Sequence, residues 1–183
     1  MNNLKNTYIA LLRGINVGGK NSIKMVDLKL CFETMGFTEV STYIQSGNVL
    51  FTSTNHDQEF LTETIESTLS KTFNYKARVV TVSYKQLKET VEQAPHGFGR
   101  EATTYRYDVI FLKPPLTASE AMERITVKEG VDQVYAGQSV LYFSRLIEKA
   151  TQSRISRIIS LPIYQNMTIR NWNTTTKLLA LMK

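Results

Sequence analysis

The sequence predicts an α+β fold of two ferredoxin-like β-α-β-β-α-β units, each an antiparallel sheet with its helices on one face. Three observations carry this expectation. The 183 residues suffice for one ordinary domain or two small ones. Apolar runs of strand length alternate with stripes of helical period in that order. The order then starts again after a loop-like stretch, PHGFGREATT, at residues 95–104. The expected organisation is a first domain at residues 1–83 with a glycine-rich loop, a connecting helix and linker at 84–105, and a second domain with a C-terminal helix at 106–183.

In the first half, Tyr8 to Arg13 is a short apolar run that reads as a buried strand. From Met25, apolar residues fall at Leu28, Cys31, Phe32 and Met35, a helical stripe that Gly36 closes as a C-terminal cap. VSTYIQ and VLFTS, joined by Ser46-Gly47-Asn48, read as a β-hairpin, because Gly and Asn tolerate the positive φ of tight turns. A second helix opens near Asp57 with Phe60, Leu61, Ile65, Leu69 and Phe73 on one face, and the alternating strand ARVVTVS completes the unit.

Ser83 and Gln86 form a capping-box pair ahead of a short helix with Leu87 and Val91 inward, which ends before Pro95. The second half repeats the order. It has a strand at Tyr107 to Lys113, a helix at Ser119 to Ile125, and a hairpin of VDQVYA and SVLYFS around Gly137-Gln138. A helix at Ser153 to Ser160, a strand at Met167 to Arg170 and a final helix from about Thr174 to Met182 follow. The strings Val49-Leu50-Phe51 and Val140-Leu141-Tyr142 occupy similar places in the two hairpins, which hints at duplication or reflects the few residue types that strands use.

No stretch approaches the roughly eighteen apolar residues of a membrane span. The N-terminus lacks the features of a secretory signal, and a single cysteine cannot form an internal disulfide; both point to a cytoplasmic protein with no membrane partner. Net charge is +6, and it is unevenly placed. Up to Ser144 there are 15 basic and 15 acidic residues, whereas Arg145 to Lys183 holds 7 basic residues against Glu148 alone. Such a field favours anionic partners, unless it is only a solvated surface.

RGINVGGKN, Arg13 to Asn21, departs by one residue from the phosphate-binding P-loop, since Asn21 takes the place of the magnesium-ligating hydroxyl. The hairpin after the first helix also calls for antiparallel pairing, unlike the parallel sheet of P-loop proteins. Backbone N–H groups at Gly14, Gly18 and Gly19, flanked by Arg13 and Lys20, could still cradle an anion, or the glycines could simply serve tight turns. In Thr168 to Lys177, Asn171 or Asn173 can cap the last helix. A helix starting near Thr174 would put Lys177 in its first turn, where it opposes the helix dipole unless an anion compensates. Arg170, Lys177 and the helix start could thus meet one phosphate or carboxylate. Trp172 reads either as a core anchor or as a stacking face.

The strings LLRGINVGGKN (Leu11 to Asn21), TYIQSGN (Thr42 to Asn48) and TIRNWNTTTKL (Thr168 to Leu178) together resemble a bacterial family of unknown function, domain family 1697, over nearly the whole chain. The resemblance implies two ferredoxin-like domains and carries no established activity. Its polar and glycine positions match Arg13, Gly14, Asn16, Gly18, Gly19, Lys20, Ser46, Gly47, Asn48, Arg170, Asn171, Trp172 and Lys177. These are the expected ligand-binding residues, gathered in an anion-binding cleft between the domains.

Other chemistry is thin. His56 and His96 lie apart from any metal-ligand pattern, so no metal site is expected, and no cofactor can be named. Asp27, Glu33, Asp108 and Asp132 read as scattered helix-face or strand-edge charges, Cys31 reads as core, and Ser46 lacks the setting of a hydrolase nucleophile. The leading expectation is a monomer that binds a phosphorylated ligand, whether nucleotide, phosphorylated metabolite or single-stranded nucleic acid. Base stacking by Tyr43, Tyr142 and Phe143 requires that they face outward. The alternatives are an enzyme acting on a nucleotide-like small molecule, for which no general base stands out, and an adaptor or structural protein.

Overall fold

A computed structural model describes residues 6–18 and 21–182. The chain divides into two compact units: one runs to Leu87 and takes in Leu181 and Met182, and the other is Lys88–Ala180. Both have the α+β architecture expected from the order of elements.

The first unit comprises β1 (Asn6–Leu12), α1 (Met25–Thr34), β2 (Thr38–Tyr43), β3 (Asn48–Ser53), α2 (Gln58–Phe73) and β4 (Val79–Ser83). Its sheet has the order β2-β3-β1-β4, with every pairing antiparallel. One face buries Tyr8, Ala10, Leu12, Val49, Phe51 and Val79 against Leu28, Cys31 and Phe32 of α1 and Leu61, Ile65 and Leu69 of α2. Each large apolar side chain so buried contributes about 1.5–3 kcal/mol. The opposite face, Ile9, Leu11, Leu50, Val80 and Val82, is buried too, so these strands read as unbroken apolar runs rather than as alternating ones.

Three local expectations are corrected in this unit. Phe60 is 54% exposed instead of facing the core, because the stripe of Leu61, Ile65 and Leu69 together with Thr62 turns it aside. The turn of the first hairpin is Ile44–Gly47, with positive φ at Ile44 and Gly47, and Asn48 opens β3 rather than sitting in the turn. The strand before it starts at Thr38, two residues early, with a register shift between Thr38 and Ser41. The second helix opens at Asp57 as expected, with its side chain capping α2 through the Phe60 N–H at 3.0 Å, and Gly36 follows α1 with φ of +87°, as expected.

Helix α3 (Tyr84–Glu92) begins with the reciprocal pair read from the sequence. The Ser83 N–H donates to Gln86 Oε1 at 2.9 Å, and the Gln86 N–H donates to Ser83 Oγ at 3.2 Å. The second unit continues with β5 (Tyr105–Leu112), α4 (Ala118–Arg124), β6 (Asp132–Ala136), β7 (Val140–Leu146), α5 (Ile155–Ser160), β8 (Met167–Asn171) and α6 (Trp172–Leu181). Short 3-10 turns at Ala150–Gln152 and Pro162–Asn166 flank α5. Its sheet order, β6-β7-β5-β8, reproduces that of the first unit. Ile110, Leu112, Leu141 and Phe143 face Ala118, Ala121 and Ile158 in the core. Residues 95–104 form turns closed by Phe98 N–H to Pro95 O at 2.9 Å and Arg100 N–H to Gly97 O at 3.1 Å.

The two similar hairpin strings do not occupy equivalent places. Phe51 faces the helices of its unit, whereas the helix-facing aromatic of the second unit is Phe143 and not Tyr142. In a strand, a shift of one residue reverses every side chain. Tyr142 is 2% exposed and its hydroxyl donates to Thr90 O at 2.7 Å, so neither Tyr142 nor Phe143 offers a stacking face. Among the described residues no helix is long and apolar enough to cross a membrane.

Candidate functional site

The glycine loop of the first unit is built around Asn16. Its Oδ1 accepts the Ile23 N–H at 2.8 Å, while its Nδ2 donates to Ile23 O at 2.9 Å and to Gln45 O at 3.0 Å. The Asn16 N–H reaches Asn21 O at 3.2 Å, and Asn21 Nδ2 donates to Gly14 O at 3.0 Å. Both asparagines have positive φ, a conformation their residue type tolerates. A single amide thus closes the loop on itself and ties it to the hairpin turn.

The hairpin turn grips the loop from its own side. Leu12 N–H donates to Gly47 O at 2.8 Å, and a Cβ on Gly47 would stand 2.8 Å from Leu12 Cβ and 2.9 Å from Ile15 Cδ1. Asn48 Nδ2 spans the turn to Tyr43 O and Ser46 Oγ, each at 3.0 Å. Arg13, Gly14, Asn16, Gly18, Ser46, Gly47 and Asn48 are therefore brought into one loop cluster, whereas Gly19 and Lys20 lie outside the described residues. Gly14 and Gly18 are exposed, with φ of +69° and +59° and open space at the Cβ position, so conformation rather than crowding accounts for glycine there.

Arg78 was missed in the sequence. The Arg13 N–H donates to Arg78 O at 2.9 Å where β1 and β4 part, so the two arginines are backbone neighbours at the ends of two strands, next to the start of the loop. No local motif marks Arg78; only the pairing of distant strands brings it there.

The third motif lies in the second unit. Arg170, 8% exposed on β8, donates through Nη1 to Thr168 Oγ1 and Ile169 O, each at 2.9 Å. Burial brings its pKa down to about 10, partly offset by Tyr164. Asn171 caps α6, accepting the Thr174 N–H at 2.7 Å, and the helix begins at Trp172 rather than near Thr174. Lys177 therefore stands in the second turn and not the first, so the expected conflict with the helix dipole falls away. Trp172 meets the Phe98 ring edge-on, with centroids 5.1 Å apart.

Two carboxylates read as scattered charges are buried instead. Asp132 Oδ2 accepts the N–H groups of Lys128 and Arg154, each at 2.9 Å, and so joins two loops. Asp108, 8% exposed, faces the Arg145 guanidinium at 3.7 Å, and its Oδ2 accepts no hydrogen bond. Burial raises the pKa of Asp108, against the pull of Arg145 and Arg106. The parity of β5 carries the information: Asp108 shares a face with Ile110 and Leu112, as Arg145 does with Leu141 and Phe143. Cys31 is buried in the core with its thiol pKa raised by that burial. Among the described residues no group of three or more His, Cys, Asp or Glu side chains is placed to hold a metal ion.

The architecture is that of a two-unit α+β protein with antiparallel, ferredoxin-like sheets, and among the described residues neither sheet has the parallel pair in which a P-loop lies. The chain belongs to the family described as Protein of unknown function (DUF1697), whose model matches residues 5–142. Its fold is similar to that of the conserved bacterial protein SP0830 from Streptococcus pneumoniae, with a TM-score of 0.86 and 24% identity over 98% of this chain and 100% of that one. An unknown protein from Galdieria sulphuraria matches with a TM-score of 0.29 and 10% identity over 92% of this chain and 98% of that one. No curated protein matches the sequence.

Proposed function

We propose that this protein binds a phosphorylated ligand, with the glycine loop of the first unit as the anion site. The observation that carries the reading is the backbone hydrogen bond that makes Arg13 and Arg78 strand neighbours beside a loop whose exposed glycines adopt positive φ. Guanidinium groups match phosphate oxygens in a fork geometry, and backbone N–H groups in such turns form concavities that suit anions. The three hydrogen bonds of Asn16 hold the loop in place before any ligand arrives, which lowers the entropic cost of binding. Helix α1 starts just beyond the loop with no side-chain cap, and its first N–H groups supply further donors. Lys20 joins the proposal on sequence alone.

Thermal unfolding tests this directly. Pyrophosphate, nucleoside mono- and diphosphates and short single-stranded RNA are screened against the wild type, Lys20→Ala and Arg78→Ala. A ligand at a hundred times its dissociation constant stabilises by about 2.7 kcal/mol, a clear shift in midpoint. The reading expects a shift that both substitutions reduce. An absence of shift with every anion makes the loop purely structural and favours an adaptor role.

A further inference from the structure

The face of the second sheet turned away from α4 and α5 carries a cavity of about 220 Å³ that no part of the loop reading uses. Strands β6, β7 and β5 are neighbours there, and their register sets Ser144 of the middle strand level with Tyr107 on one side and Gln133 on the other. Alternate residues of a strand face opposite ways, so these three point away from the side of Val134, Ile110 and Phe143 that packs on the helices. The short Ser144 side chain makes a floor between taller neighbours. Tyr135, on the same face of β6 as Gln133, leans back toward that row, its hydroxyl donating to Gln133 Oε1 at 3.5 Å. Phe98, Glu101 and Tyr105 complete the walls.

The walls restrict what can enter. Tyr107 meets Phe98 at 67° with centroids 4.8 Å apart and Tyr105 at 44° with centroids 6.1 Å apart, so the rings make a corner and not a parallel-walled slot. Strands β5 and β6 lie two spacings apart, about 9.5 Å. A flat ring held between two faces fills only about 7–8 Å. A cation held between two rings tolerates up to about 6 Å to each centroid, which suits the wider gap. Charge favours the same guest: among the described residues that line the cavity there is no Lys or Arg, and Glu101 is the one carboxylate. Burial raises the Tyr107 pKa, and the Glu101 charge adds to the rise against a hydrogen bond from the Glu101 backbone, so that carboxylate is felt at the ring. A primary ammonium carries three N–H groups that need acceptors, whereas a methylated one carries none and meets aromatic walls at less cost.

We propose that this cavity binds the quaternary ammonium group of a small molecule, with Tyr105, Tyr107 and Tyr135 around the cation and the Glu101 carboxylate opposing its charge. The site lies wholly in the second unit and is independent of the glycine loop.

Proton NMR tests this on the intact chain. The wild type is titrated at matched ionic strength with choline, with dimethylbutanol as its uncharged carbon analogue, and with AMP as a flat-ring guest. The expected result is a saturable upfield shift of the choline N-methyl signal, from the ring currents of the walls, together with shifts of the Tyr107, Gln133 and Ser144 amides. Dimethylbutanol and AMP bind at least tenfold more weakly. Tyr135→Ala and Glu101→Gln, both at exposed side chains, each weaken choline severalfold. The comparison of choline with its uncharged analogue needs no variant to fold. No saturable choline shift, equal affinity for dimethylbutanol, tighter binding of AMP, or choline affinity unchanged in Tyr135→Ala overturns the proposal.

Discussion

Asn16 pairs with Ile23 as one strand pairs with another: a single amide side chain accepts the backbone N–H of Ile23 at 2.8 Å and donates to its C=O at 2.9 Å. The same Nδ2 reaches Gln45 at 3.0 Å, so the loop between β1 and α1 and the turn between β2 and β3 share one fastening. Asn16→Ala strands the partly buried N–H and C=O of Ile23, at a cost of about 1–3 kcal/mol, while the exposed Gln45 C=O can turn to water. The urea midpoint should fall accordingly. An unchanged midpoint would show that water replaces the fastening at no cost.

Two glycines of the same cluster should respond differently to alanine. Gly14 and Gly47 both have positive φ, which costs an L-residue about 1–2 kcal/mol. At Gly14 the Cβ enters open space, so little is added. At Gly47 it would press on Leu12 and Ile15 inside 3 Å, adding an overpacking cost of about 1–3 kcal/mol. Thermal unfolding should rank Gly47→Ala clearly below Gly14→Ala, and equal losses would contradict the close contact.

Asp108 makes stability depend on pH in a definite direction. Its native pKa is raised, chiefly by burial, so the folded chain holds this proton more tightly than the unfolded chain. The resulting stability is fully present below the unfolded pKa and is lost as pH rises through the native one. Asp108→Asn does not titrate. The variant should therefore gain on the wild type between pH 3 and pH 7 in paired unfolding midpoints, about the ordinary carboxylate range. A constant difference, or one that moves the other way, would mean that Arg145 outweighs desolvation.

Gly99→Ala probes the fixing of Trp172. A Cβ there would run into Nε1 and Cδ1 of the indole, and φ is +84°. The indole has to move, so the variant should lose about 2–4 kcal/mol and the emission of the only tryptophan should shift. Unchanged emission would show that the backbone yields instead.

The order of elements was legible because strands and helices carry their periods locally, as in Leu28, Cys31 and Phe32 on α1. That the first two motifs form turns was legible from their asparagines and glycines, and the contacts between Asn16 and Gln45 and between Leu12 and Gly47 join those turns. Arg78 was not legible, because its place beside Arg13 depends on the register of two distant strands. Phe60 misled because a helical stripe has edges, and a large apolar residue one step beyond the edge still fits the count. Asp108 could have been found from its parity with Ile110 and Leu112, but a charge in an apolar run is easily given to the strand edge.

Binding of a phosphorylated ligand by the glycine loop of the first unit is read residue by residue in amide NMR of the labelled protein during a pyrophosphate titration. The account predicts saturable shifts confined to the amides of residues 13–22 and those around Arg78, weakened in Arg78→Ala. No saturable shifts, or shifts that leave Gly14, Asn16 and Gly18 unmoved, would contradict it.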